Sequence, residues 1–110
     1  MVSIIIPTLN EEKNIINLIN EINKFLNMYK IKIYIIDGNS TDNTVKKIKT
    51  LKKSNVNVHV APKRKKNEPH NCRDIHLGLR KAYLKEKSEY FVIFDGDGSY
   101  HPKQIVEMLK

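Results

Sequence analysis

Four short apolar runs, residues 2–6, 31–36, 56–60 and 90–94, constrain this chain more than any other feature, because segments of a different period separate them. The runs are rich in Ile, Val, Tyr and Phe, whose branched or aromatic side chains suit a pleated strand. After Asn10 the apolar residues Ile15, Leu18, Ile19, Ile22, Phe25 and Leu26 recur at helical spacing, with Asn and Lys on the other face. Asn10 reads as the N-cap of this helix, with Glu11 and Glu12 in its first turn at the positive end of the dipole. Thr41 and Asp42 lead a second helix carrying Val45, Ile48 and Leu51, and residues 72–85 and 102–109 supply a third and a fourth. The order is β-α-β-α-β-α-β-α.

Strands that alternate with helices require right-handed crossovers, which predicts an α/β fold of three layers, with helices on both faces of a mostly parallel four-stranded sheet. The unbroken apolar character of the first, second and fourth runs fits strands covered on both sides. A length of 110 residues fits one domain spanning 1–110. Ile, Leu, Val and Phe supply roughly three residues in ten, above the level of about 20% at which chains fail to build a core.

With 20 Lys and Arg against 12 Asp and Glu, the net charge is +8, which attracts phosphates, nucleic acid or an anionic membrane without choosing among them. No run reaches the roughly 18 apolar residues of a membrane-spanning helix, and the N-terminus has no signal-peptide pattern, so the reading is cytoplasmic. The single cysteine, Cys72, agrees with a reducing compartment and reads as an ordinary helix residue. Residues 62–69 (PKRKKNEP) read as a basic exposed loop bounded by prolines.

In an open parallel sheet, ligands bind outside the carboxyl ends of the strands, where strand order reverses. Three polar segments fall on that edge: residues 7–11 (PTLNE), 37–42 (DGNSTD) and 95–102 (DGDGSYHP). Each alone has an ordinary explanation in turn and cap chemistry, but all three converge. In Asp95-Gly96-Asp97 the two carboxylates, at i and i+2 of an extended segment, point to one side, and the glycine lets a ligand approach the backbone. Paired like charges call for a cation, and hard oxygens suit Mg²⁺ or Mn²⁺ completed by substrate phosphates. The sixth and twelfth positions of an EF-hand loop starting at Asp37 or Asp95 are wrong, no Walker A loop is present, and His59, His70, His76 and His101 lack zinc-site spacing. His59 reads as an outward-facing strand residue and His70 as a loop residue.

Taken together, VSIIIPTLNEEKNI, IIDGNSTDNT and FDGDGSYHP resemble the N-terminal half of a glycosyltransferase family 2 enzyme of the Rossmann-like GT-A fold, over essentially all 110 residues, with polyprenyl-phosphate mannosyl- and glucosyltransferases as the nearest subgroup. The resemblance implies a metal-dependent transferase that moves a hexose from a GDP- or UDP-sugar to a polyprenyl phosphate or saccharide. Pro7, Glu11, Ile35, Asp37, Arg73, Asp95, Gly96 and Asp97 match donor-binding positions. By that resemblance Pro7 and Glu11 are expected to line the nucleotide pocket, Asp37 with Ile35 to hold the base, Arg73 to lie over the phosphates, and Asp95 and Asp97 to hold Mg²⁺ or Mn²⁺. Leu9 stands where relatives usually carry an aromatic residue, and His70 and Cys72 stand at glycine positions.

Such enzymes need roughly a hundred further residues for the acceptor site and its catalytic base, so the chain reads as a truncated donor-binding half, with no catalytic residue assignable. A second chain supplying the acceptor half, and peripheral attachment at the cytoplasmic membrane face, follow as expectations. Two alternatives stand beside this: a non-catalytic nucleotide-binding module, and a basic protein binding nucleic acid or a membrane surface through residues 46–53 and 63–66. Solvated lysines explain those runs more simply, so nucleic acid is disfavoured.

Overall fold

The computed structural model describes residues 1–63, 73–85, 88–94 and 101–109. Its elements are β1 (Val2–Thr8), α1 (Ile15–Phe25), β2 (Ile31–Asp37), α2 (Thr44–Thr50), β3 (Val56–Val60), α3 (Arg73–Lys85), β4 (Tyr90–Ile93) and α4 (Lys103–Leu109). All four apolar runs are strands. β1 and β2 continue to Thr8 and Asp37, beyond the apolar residues, because their backbones stay paired in register to those positions.

The sheet is parallel throughout, in the order β3-β2-β1-β4. The chain therefore steps from β1 to β2 to β3 in one direction and then returns across the sheet to β4. Right-handed crossovers place the helices of the outward steps on one face and the helix of the return step on the other. The packing follows this rule. Ile4, Ile6, Ile33 and Ile35 of the sheet form one core with Ile15, Leu18, Ile19 and Ile22 of α1, Ile48 of α2 and Ile105 of α4. Ile5 and Tyr34, one residue out of phase, pack with Ala82 of α3 on the opposite face. Ile4, Ile5, Ile6, Ile33 and Ile35 are all 0% exposed, and full burial contributes about 1.5–3 kcal/mol for each such side chain.

The two faces differ in how closely a helix can approach. Gly78 of α3 lies so near the sheet that a Cβ there would sit 2.5 Å from Ile5 Cγ2 and 3.0 Å from Ile36 Cγ1. Ile36 is also in register with His59 on β3. His59 thus lies on the α3 side of the sheet, half-buried, and does not face outward as its sequence context predicts.

The start of α1 differs as well. The helix begins at Ile15 with Asn14 in the cap position, not at Asn10. Asn10 adopts a left-handed backbone (φ 54°), and Glu11 and Glu12 belong to the turn before the helix. The fourth helix begins one residue later than predicted, at Lys103, and α3 is described from Arg73 onward. Cys72, His70 and most of the basic loop lie outside the described residues.

Candidate functional site at the carboxyl edge of the sheet

β1 and β2 end together, with Thr8 opposite Asp37. β4 lies on the other side of β1, so strand order reverses between β1 and β4, the place where open parallel sheets take their ligands. One further bond, from the Phe94 N–H to the Ile5 carbonyl at 2.9 Å, carries the pairing beyond β4. The described chain thus leaves β4 beside Ile5, three residues before the end of β1, and Asp95 follows Phe94 in sequence.

Asp37 organises one wall of this edge. The residue is 1% exposed, and its Oδ1 accepts hydrogen bonds from the Thr8 hydroxyl at 2.9 Å and the Ser40 hydroxyl at 2.5 Å. Its Oδ2 accepts from the Ser40 N–H at 2.8 Å. A buried carboxylate is costly unless donors replace its water, and here three do. The Gly38 N–H donates to the Thr8 carbonyl at 2.9 Å, and the Asn39 side-chain amide donates to the Ala61 carbonyl at 3.0 Å, with Asn39 at φ 68°. The backbone turn after β2 is thereby fixed to β1 on one side and to the end of β3 on the other.

A second set of bonds joins the loop after β1 to the loop after β2. Asn10 Oδ1 accepts from the Thr41 N–H at 2.8 Å and the Asp42 N–H at 3.3 Å, while the Asn10 N–H donates to Ser40 Oγ at 2.8 Å. The Glu11 N–H donates to Thr44 Oγ1 at 3.0 Å. The Thr44 hydroxyl donates in turn to Asp42 Oδ1, which also accepts the Thr44 N–H at 3.0 Å. That hydroxyl, together with the N–H groups of Thr44 and Glu12, holds the Asp42 carboxyl below the usual aspartate range, although partial desolvation opposes it.

The expected site residues are therefore placed unequally. Pro7, next to last in β1, and Glu11, in the loop that follows, are both partly exposed. Ile35 is 0% exposed and belongs to the core against α1, so its side chain offers no surface to a ligand. Asp37 stands at the edge as expected, but its carboxylate faces inward and supports the loop. Arg73 is the first residue of α3, and its side chain lies outside the described residues, as do Asp95, Gly96 and Asp97. Among the described residues, no group of three or more His, Cys, Asp or Glu side chains could hold a metal ion. Sequence reasoning missed Thr8, Ser40 and Thr44 as parts of the site. The available signal was the hydroxyl residues at the end of β1 and in the segment from β2 to α2, which read as generic turn and cap chemistry until the register is known.

Of the lysines of residues 46–53, Lys47 reaches the first loop and the three around the groove do not. Lys47 pairs with Glu12 at 3.7 Å, and Lys49, Lys52 and Lys53 rim a groove of about 250 Å³ floored by Ile48, Val56 and Val58. That groove sits at the start of β3, at the opposite end of the sheet from the joined loops. No helix among the described residues is long and apolar enough to cross a membrane.

The model of the family described as glycosyl transferase family 2 matches residues 3–110. An uncharacterized protein of Methanocaldococcus jannaschii is 33% identical over 107 residues, 96% of this chain and 44% of that protein. The dolichyl N-acetyl-alpha-D-glucosaminyl phosphate 3-beta-D-2,3-diacetamido-2,3-dideoxy-beta-D-glucuronosyltransferase of Methanococcus voltae is 36% identical over 98 residues, 84% of this chain and 28% of that enzyme. The chain thus spans less than half the length of either relative. A solved mannosyltransferase from Pyrobaculum calidifontis, in complex with GDP-Man and Mn²⁺, superposes with a TM-score of 0.70 at 20% identity, covering 87% of this chain and 27% of that one. At that identity the likeness is one of fold.

Proposed function

Since the chain belongs to glycosyl transferase family 2, we propose that it is the donor-binding half of a glycosyltransferase, one domain spanning 1–110 that holds a nucleotide-diphosphate sugar at the carboxyl edge of its sheet. The observation that carries this reading is the joining of the loops after β1 and β2 into one hydrogen-bonded wall beside the point where strand order reverses. A wall fixed before the ligand arrives loses little conformational freedom on binding, and such preorganisation favours affinity.

In this reading Pro7 at the end of β1 and Glu11 in the loop after it border the nucleotide. Asp37 and Ile35 act from beneath, Asp37 by fixing the Gly38–Ser40 backbone under the base and Ile35 by packing the strand that carries it. Arg73, at the start of α3, serves the phosphates. Asp95 and Asp97 supply hard oxygen donors where the chain leaves β4, and they would hold Mg²⁺ or Mn²⁺ there. When bound, that cation supplies Lewis-acid neutralisation of the departing diphosphate. The donor is a GDP- or UDP-hexose, and a polyprenyl phosphate or a saccharide accepts the sugar, at the cytoplasmic face of the membrane in the first case. The acceptor half is contributed by residues other than these 110, on this polypeptide or on a second one. β4 is an edge strand among the described residues, and it leaves Ile93 45% exposed beside an apolar hollow against α4, a surface suited to that half.

Incubation with radiolabelled GDP-mannose or UDP-glucose, Mn²⁺ and polyprenyl phosphate tests the proposal. Mn²⁺-dependent donor hydrolysis, absent in Asp97→Ala, is the expected result for this half alone, and transfer is expected only once the acceptor half is joined to it. Tight nucleotide binding with no turnover would instead leave a non-catalytic nucleotide-binding module. Salt-sensitive binding to duplex DNA or anionic vesicles that survives Asp97→Ala would favour the lysines of residues 46–53 and 63–66 as the functional surface.

A further inference from the structure

Asn10 occupies a place in the fold that neither helix capping nor donor contact explains. It lies two residues past Thr8, the last residue of β1 paired with β2, in the left-handed region at φ 54°, a conformation that costs a residue with a Cβ unless hydrogen bonds offset it. Its side-chain oxygen is the meeting point of three donors from the other loop: the N–H groups of Thr41 and Asp42, and the Thr41 hydroxyl at 3.3 Å. Its own N–H closes the ring by donating to Ser40 Oγ, and the Ser40 hydroxyl donates on to Asp37. The sequence separations in this ring are about 30 residues, so no local turn propensity can replace it.

We propose that Asn10 is the positioning residue of the donor site: its left-handed backbone and side-chain carbonyl together lock the loop after β2 onto the loop after β1. This deepens the donor-binding reading and rests on it for its functional consequence. The lock itself is a property of the free protein. Asn10 need not touch the nucleotide, since it acts through the Ser40–Asp42 backbone, whose position relative to Pro7 and Glu11 sets the width of the wall.

Two substitutions separate the carbonyl from the backbone. Asn10→Gly keeps the left-handed conformation at no steric cost and removes the acceptor, whereas Asn10→Asp keeps both. Solvent-exchange rates of individual amides, read by NMR on the 110-residue chain, report the lock without any ligand. Asn10→Gly should raise exchange at Thr41 and Asp42 by about tenfold while the amides of β1 and β2 keep their rates, and Asn10→Asp should restore the wild-type pattern. Unchanged exchange at Thr41 and Asp42 in Asn10→Gly would overturn the lock. In a parallel titration with GDP or UDP and Mn²⁺, Asn10→Gly should bind about tenfold more weakly than wild type, and Asn10→Asp within a few-fold of it. Equal affinity of Asn10→Gly and wild type would remove the positioning role. A wild-type chain that binds neither nucleotide would remove the donor reading while leaving the exchange result to decide the lock.

Discussion

The Thr8 hydroxyl donates to the Asp37 carboxylate at 2.9 Å across the last rung of the β1–β2 ladder, and this bond joins the two strand ends that carry the candidate site. The same carboxylate takes two donors from Ser40, so a single buried acid ties two strands and a loop.

Asp37→Ala should therefore act on stability as well as on ligand binding. It leaves the Thr8 hydroxyl, which is 3% exposed, and the Ser40 N–H without their acceptor, a loss of about 1–3 kcal/mol. Thermal unfolding followed by circular dichroism should show Tm lower by several degrees, with Thr8→Val giving a smaller drop. An Asp37→Ala variant that melts with wild type would show that the network adds nothing to the fold.

The close approach of α3 to the sheet gives a second prediction. Gly78→Ala drives a Cβ into Ile5 Cγ2, and overpacking of this kind costs about 1–3 kcal/mol. The helix preference of Ala over Gly, about 1 kcal/mol, offsets only part of that. An Ile5→Ala background removes the 2.5 Å contact and leaves only the milder one to Ile36 Cγ1 at 3.0 Å, so chemical denaturation of the four proteins should give a double-mutant cycle short of additivity. Additive losses would place Gly78 away from Ile5.

His59 should make stability depend on pH. Burial first, then the positive charges of Lys81 and Lys85 on α3, hold its imidazole below the ordinary value of 6.5. The unfolded chain then takes up the proton more readily than the folded one, so this contribution is full above pH 6.5 and is lost as pH falls through the lowered folded pKa. Between pH 7.5 and 5.5, roughly the range in which histidine titrates, Tm should fall further in wild type than in His59→Gln. Parallel profiles for the two proteins would contradict the burial of this ring against α3.

Asp97→Ala should remove the Mn²⁺-dependent part of nucleotide affinity, measured by isothermal titration with and without the cation, and leave Tm within about a degree. A variant that retains the full Mn²⁺ effect would exclude Asp97 as a ligand.

Strand positions and the face of α1 were legible in the sequence because they depend on local period: Ile15, Leu18, Ile19 and Ile22 are all buried. The start of α1 was not, because Asn10 has the composition of a cap and is drawn instead to Thr41 and Asp42 across about 30 residues of chain. The inward aim of Asp37 was hidden for the same reason, since Thr8 becomes its partner only once β1 and β2 are in register. His59 alternates with Val58 and Val60 and so reads as solvent-facing, but the return crossover of α3 covers that side of the sheet. Gly78 gave no sign of its role, because nothing in a helical pattern reveals how near the helix lies to a sheet.

Backbone amide shifts of the ¹⁵N-labelled chain, recorded by NMR during titration with GDP or UDP and Mn²⁺, test the central claim most directly. The changes should concentrate at Thr8–Glu11 and Gly38–Asp42 and leave Lys49, Lys52 and Lys53 unmoved. Changes confined to the lysine groove at the start of β3, with the joined loops silent, would contradict a donor site at the carboxyl edge.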